Sequence, residues 1–147
     1  MYTRILLATD GSRLSETAVE HALNLADLTG AEVVALKVVP RYPQSYFEGG
    51  VGIDNEEIKR VEQQWQDEAL RVVNAIKSEG QKRQIKVKAT TSKSDLVAEA
   101  IIATARRNKC DLIVMASHGR KGLKRLLLGS ETQQVLTHSH IPVLVLR

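Results

Sequence analysis

At 147 residues the chain has the size of one domain, and its 43% apolar and 26% charged residues suit a globular protein with a core of its own. A net charge of +4 permits anionic partners, but 3% aromatics supply no stacking surface for single-stranded nucleic acid, and Lys and Arg are spread along the chain. The single cysteine, Cys110, excludes an internal disulfide, no Cys/His cluster has zinc-ligand spacing, and no run approaches the ~18 apolar residues of a membrane span.

The opening stretch, MYTRILLATDGS, holds too short an apolar run for a secretory signal, so the expected location is the cytoplasm. Residues 4–9 read as a buried strand, and Asp10-Gly11-Ser12 as a turn and helix start. Ala18, Ala22, Leu25, Ala26 and Thr29 then recur at helical spacing, with Gly30 as the C-cap. Residues 32–39 form a second strand stopped by Pro40. Residues 40–55 are a long polar loop carrying Tyr42, Tyr46 and Phe47. Ile58, Val61, Trp65, Ala69, Val72 and Ile76 mark the inward face of a long helix closed by Gly80. Residues 85–91 alternate apolar and polar, the pattern of a strand with one exposed face near an edge. Ser92 and Asp95 signal the cap of a helix reaching Asn108, with Leu96, Ala100, Ile101 and Ala105 inward. Residues 111–116 are the fourth strand, Ser130 opens the last helix, and residues 141–146 are the last strand.

This alternation predicts one α/β domain over 1–147, a three-layer, Rossmann-like fold with a five-stranded parallel sheet and four helices. Ligands in such sheets bind at the C-terminal ends of strands, beside the switch in strand order. That rule points to Thr9, Asp10, Val38, Val39 and residues 115–119.

The stretch from Met115 to Ser130 carries the most chemistry. An apolar strand runs into a glycine-rich loop with Arg120, Lys121, Lys124 and Arg125, and the loop ends at Gly129-Ser130, where a helix begins. Glycines let a backbone approach an anion, and the first amides of a helix point at it. The spacing is neither Gly-x-Gly-x-x-Gly nor a Walker A sequence. The plainer reading is a loop whose glycines serve turns and whose Ser130 forms a capping box with Gln133; the two readings are compatible. Asp10 is either a turn residue or an acceptor for ribose hydroxyls. His118 has no carboxylate partner in the sequence to orient it, so it reads as solvent-exposed or ligand-adjacent rather than catalytic. His21, His138 and His140 read as structural or exposed, Cys110 as a small core residue, and Trp65 as part of the helix core stripe.

Gly119, nine residues, Gly129 and Ser130, the opening strand with Thr9-Asp10-Gly11-Ser12, the long second helix and the closing Ile141-Pro-Val-Leu-Val together resemble the universal stress protein family over the whole chain. Its nucleotide-binding members carry Gly, two residues, Gly, nine residues, Gly, then Ser or Thr. Here Ala116 stands at the first glycine. The resemblance implies an adenine nucleotide alpha hydrolase-like fold with ATP across the strand ends, with or without Mg2+ or Mn2+. It implies that Ala8 and Val38 line the adenine with Met115 nearby, and that Asp10 faces the ribose or the phosphate–metal region. It places Gly119, Gly129, Ser130 and Glu131 at the phosphates or ribose, and Thr9, Ala116 and His118 complete the set. No residue is assigned as catalytic or metal-binding. The Ala116 methyl either crowds the ligand or rests on a backbone of negative φ at no cost. Three functions follow: an ATP-binding regulatory homodimer with an unidentified protein partner, a slow ATP hydrolase, or a nucleotide-free dimeric scaffold. The apolar strand within 141–147 is the expected dimer edge. Neither nucleic acid nor membrane is an expected partner.

Overall fold

The computed structural model describes residues 1–43, 54–118 and 128–147. Five strands alternate with four helices: β1 (Arg4–Ala8), α1 (Arg13–Thr29), β2 (Glu32–Val39), α2 (Asn55–Lys82), β3 (Val87–Lys93), α3 (Val97–Arg107), β4 (Leu112–Ala116), α4 (Ser130–His138) and β5 (Val143–Leu146). All pairings are parallel, in the order β3-β2-β1-β4-β5. This is the α/β architecture expected from the alternation. Among the described residues no helix is long and apolar enough to cross a membrane.

Burial follows position in the sheet. The central strands β1 and β4 are apolar on both faces and buried from Ile5 to Ala8 and throughout Leu112–Ala116. The alternating strand β3 lies at an edge, as its pattern predicts. Two apolar layers result. Ile5, Leu7, Val33 and Val114 pack against Ala18, Ala22 and Ala26 of α1 and Val73 and Ile76 of α2. Leu6, Val34, Leu36 and Ile113 pack on the other face against Ala98, Ile101 and Ala105 of α3 and Val135 of α4. At the foot of the sheet Asp111 ties β1 to β4: its carboxylate accepts from Thr3 N, Thr3 Oγ1 and Arg4 N at 2.9, 3.0 and 3.1 Å. Burial raises the Asp111 carboxyl, but these donors outweigh it and hold it below the ordinary carboxylate range.

Several boundaries depart from the expectation. Gly80 does not close α2, which runs on to Lys82. Gly80 is buried, and a Cβ built there would lie 2.3 Å from Val87 Cγ2 and 3.3 Å from the Ile85 carbonyl oxygen. It is the place where the helix touches β3. The left-handed turn falls later, at Gln84 with φ 59°. Strand β3 runs through Ser92 to Lys93, so Ser92 caps nothing. Ser94 Oγ instead accepts from Leu96 N at 3.0 Å, while Asp95 Oδ1 accepts from Arg41 N at 2.9 Å and ties the β2 exit to α3. Leu96, expected inward, is exposed. The last strand begins at Val143, because Pro142 has no N–H to give. Trp65 is half-buried and stacks on Tyr42 at a centroid distance of 6.1 Å. Tyr46 and Phe47 lie outside the described residues.

Gly80 gives a test of sign. Glycine to alanine within a helix ordinarily stabilises by about 1 kcal/mol. Here the added methyl meets a β-branched side chain with one stiff rotamer and a backbone oxygen, an overpacking cost of about 1–3 kcal/mol. Gly80→Ala should therefore lower Tm by several degrees in calorimetry, and an increase would show that the contact gives way.

Cys110 supplies a second test. It is buried, and desolvation pushes its thiol up to about 11. The unfolded thiol loses its proton near pH ~8.5. Between these values the unfolded state holds fewer protons, so this group's contribution to stability is complete below the lower value and is lost as pH rises toward the upper one. Native protein should resist thiol reagents at pH 8 while unfolded protein reacts at once. Prompt native labelling would contradict the burial.

Candidate functional site

Strand order reverses direction at β1: the chain leaves it for β2 on one side and reaches β4 on the other. A cavity of about 340 Å³ opens at the C-terminal ends of these strands, the crevice such a switch creates. Its volume lies within the ~300–1,000 Å³ of small-molecule sites.

Four walls enclose it. From β1 come Ala8, Thr9 and Asp10. The chain then turns through Gly11, whose φ of 78° is left-handed. Asp10 Oδ1 accepts from Ser12 N at 2.9 Å, so the residue does serve the turn while lining the cavity. Ser12 caps α1, accepting from Ser15 N. Beneath it lies a buried hydroxyl pair: Thr9 Oγ1 donates to Ser15 Oγ at 2.9 Å, and Ser15 Oγ donates to the Ser12 carbonyl at 2.7 Å. The second wall is apolar, made of Leu36 and Val38 from β2 and Val97 and Ile101 from α3. Met115 and Ala116 of β4, with His118, form the third. Ser117 Oγ lies 2.9 Å from His118 Nδ1 and holds the ring.

The N-terminus of α4 forms the fourth wall, with Gly129, Ser130, Glu131 and Thr132. The sequence suggests Ser130 as the cap, but the helix starts one residue earlier. Gly129 is the N-cap, Ser130 is the first helical residue, and no side chain caps the end. Ser130 Oγ donates to Glu131 Oε2 at 3.1 Å, and the Gln133 amide donates to the Leu128 carbonyl at 2.9 Å, so no capping box forms. The first-turn amides carry the positive end of the helix dipole to the cavity. Gly129 N donates to the Ser117 carbonyl at 2.8 Å. Thr132 Oγ1 donates to the Ala116 carbonyl at 3.0 Å, fixing the helix start to the end of β4.

Ala116 sits in regular strand paired with Leu146, and it is absent from the positive-φ residues, Gln84 and Lys109. Its backbone does not require glycine.

Thus Ala8, Thr9, Asp10, Val38, Met115, Ala116, His118, Gly129, Ser130 and Glu131 converge on one cavity. Gly119, Arg120, Lys121, Lys124 and Arg125 lie outside the described residues. Val39, suggested by the strand-end rule, is buried and lines nothing there, because alternate residues of β2 face opposite layers. Ser15, Leu36, Val97 and Thr132 line the cavity although the sequence reading does not name them, and Ile101, expected only as an inward core residue, lines it too. Leu36 shares a strand face with Val38, and Val97 and Ile101 share a helix face at i, i+4, so these three were accessible from periodicity. Among the described residues no group of three or more His, Cys, Asp or Glu gathers to hold a metal.

The comparison with known proteins agrees with this architecture. The universal stress protein family matches residues 1–147. A universal stress protein of Methanocaldococcus jannaschii is 34% identical over 149 residues, covering 100% of this chain and 83% of that one. The solved structure of another protein of that organism superposes with a TM-score of 0.83 at 32% identity, covering 99% and 96% of the two chains. Two more distant structures share the fold: a universal stress protein in complex with cAMP, at TM-score 0.69 and 21% identity over 99% and 97% of the chains, and one from Arabidopsis thaliana with AMP bound, at 0.68 and 15% over 98% and 90%. The strand order, the crevice beside β1 and the match along its whole length place this chain in the universal stress protein family.

Proposed function

We propose that the cavity binds an adenine nucleotide, ATP foremost, and that the protein acts as a nucleotide-dependent regulatory homodimer with a further protein partner. One observation carries the reading: a single crevice joins an apolar slot to the uncapped N-terminus of α4. Leu36, Val38, Val97, Ile101 and Met115 suit a flat base. The α4 amides suit phosphate oxygens. Asp10, between the two at the end of β1, suits ribose. Family members with cAMP and AMP bound support the ligand class.

Asp10 and Glu131 put two carboxylates on the cavity wall, and each repels phosphate when ionised. The dipole of α4 opposes that repulsion. A divalent cation arriving with the nucleotide would be held by phosphate oxygens and water, with Asp10 or Glu131 as a single protein ligand, the usual Mg2+ arrangement. The methyl of Ala116 adds apolar surface and needs no strained backbone, so this reading has it tolerate the ligand.

The expected result is nucleotide released on denaturing the purified protein and identified by mass spectrometry, with a rise in Tm on adding ATP. Ala116→Gly should leave affinity within about threefold and cost about 0.5–1 kcal/mol of stability from strand entropy. Neither released nucleotide nor a thermal shift would sink the reading. A tenfold gain in Ala116→Gly, about 1.4 kcal/mol, would mean that the methyl crowds the ligand.

Assembly is a separate part of the proposal. Strand β5 ends the sheet, and Leu144 on it and Leu136 on neighbouring α4 are 37% and 42% exposed. An apolar parallel edge of this kind pairs readily. Sedimentation should show a dimer at micromolar concentration and a folded monomer for Leu144→Lys. A monomeric native chain would remove the dimer.

A further inference from the structure

Four hydroxyl-bearing residues line the cavity, and the three buried ones, Thr9, Ser15 and Thr132, direct their protons into the protein. Thr9 Oγ1 donates to Ser15 Oγ at 2.9 Å, and Ser15 Oγ to the Ser12 carbonyl at 2.7 Å. Thr132 Oγ1 donates to the Ala116 carbonyl at 3.0 Å, and Ser130 Oγ to Glu131 Oε2 at 3.1 Å. A hydroxyl has one proton and two lone pairs, so the buried Thr9, Ser15 and Thr132 hydroxyls accept from a ligand rather than donate to it. Among the described residues, the first-turn amides of α4, which no side chain caps, offer donors to the cavity from the β4–α4 side.

The opposite side, Thr9 and Ser15, is therefore a wall of acceptors. It is 8% and 2% exposed at these two residues, too buried for bulk water to reset its bonding. Thr9 Oγ1 already accepts from Gly11 N at 3.1 Å, which fixes one lone pair and leaves Ser15 as the partner for its proton. Ser15 thus decides the polarity of the wall. A phosphate oxygen placed there would meet lone pairs facing lone pairs. A ligand hydroxyl would find an acceptor.

We propose that Ser15 is a specificity-determining residue: by taking the Thr9 proton it makes the β1 side of the cavity select a free sugar hydroxyl and turns phosphate toward α4. The inference rests on the nucleotide reading above. Strand β1 lies between the apolar slot of β2 and α3 and the N-terminus of α4, so the sugar, which joins base to phosphates, is the part that faces it.

Calorimetric titration of the full chain with ATP, 2′-deoxy-ATP, 3′-deoxy-ATP and the corresponding 2′- and 3′-fluoro analogues tests this. At the hydroxyl that meets the wall, removal should weaken binding about tenfold, the worth of one hydrogen bond at a buried acceptor. Fluorine at that carbon, which cannot donate, should not restore it. Ser15→Ala releases the Thr9 proton toward the ligand. In that variant the discrimination should fall below about threefold, and the fluoro analogue should bind better than the deoxy one. Should Ser15→Ala melt below the assay temperature, Thr9→Val removes the same acceptor and should also abolish discrimination. Equal affinity of the native chain for ATP and every analogue overturns the inference, as does full discrimination retained in either folded variant. Failure to bind ATP at all overturns the nucleotide reading and this inference with it. Binding without discrimination overturns this inference alone.

Discussion

Everything at the site depends on β1 being paired on both edges at once. Arg4 to Ala8 pair with Glu32 to Leu36, and Ile5 to Leu7 pair with Leu112 to Val114. The two registers decide that Ala8–Asp10, Leu36–Val38 and Met115–Ala116 end at one level. A slip of one residue in either would move every inward side chain to the opposite face. The registers are secured at both ends. At the foot, Asp111 gathers the donors of Thr3 and Arg4. At the top, the β1–β2 ladder continues one residue beyond the strand through Thr9 N to the Leu36 carbonyl, and β4 is held in turn by β5 through Ser117 N to the Leu146 carbonyl. The crevice is the gap left where helices that follow β1 and β4 depart to opposite faces of this clamped centre.

The polar walls of the gap are rigid for a related reason. Their hydroxyls bridge one element to the next: Thr9 to Ser15 joins β1 to α1, and Thr132 to the Ala116 carbonyl joins α4 to β4. A group held in this way needs little reorganisation when a ligand arrives, which is the condition for selective binding. The bridges also determine polarity, since a proton committed to the fold is withheld from the ligand. Stability and recognition are thus two consequences of the same hydrogen bonds.

The elements were legible in the sequence because periodicity reports burial, and burial is what the sheet order distributes. The alternation in residues 85–91 announced an edge, and continuous apolar runs announced β1 and β4. Ends were less legible, because one residue type serves several physical purposes. Gly80 resembles a C-cap but is a contact point with Val87. Ser130 has the spacing of a capping box, yet Gly129 starts the helix by donating to the Ser117 carbonyl, a bond between residues 12 apart in sequence. At the site, strand ends and the helix start follow from topology, so ten named residues converged on one cavity. Ser15 was invisible for a different reason. Its role depends on which atom takes the Thr9 proton, and no periodicity encodes that.

The same distinction bears on Ala116. A glycine is required where φ is positive or where a Cβ would collide, and Ala116 meets neither condition, since β4 stays regular through it. Gly129 is the closer case. A Cβ there would lie 3.3 Å from the Ser117 carbonyl oxygen, a tight contact, and 3.5 Å from His118 Cα, an ordinary one. The closer approach of backbone among the described residues of this loop therefore falls at the start of the helix rather than at the end of the strand. A methyl at 116 changes the lining of the cavity, whereas a methyl at 129 would press on the backbone to which the start of α4 is bonded.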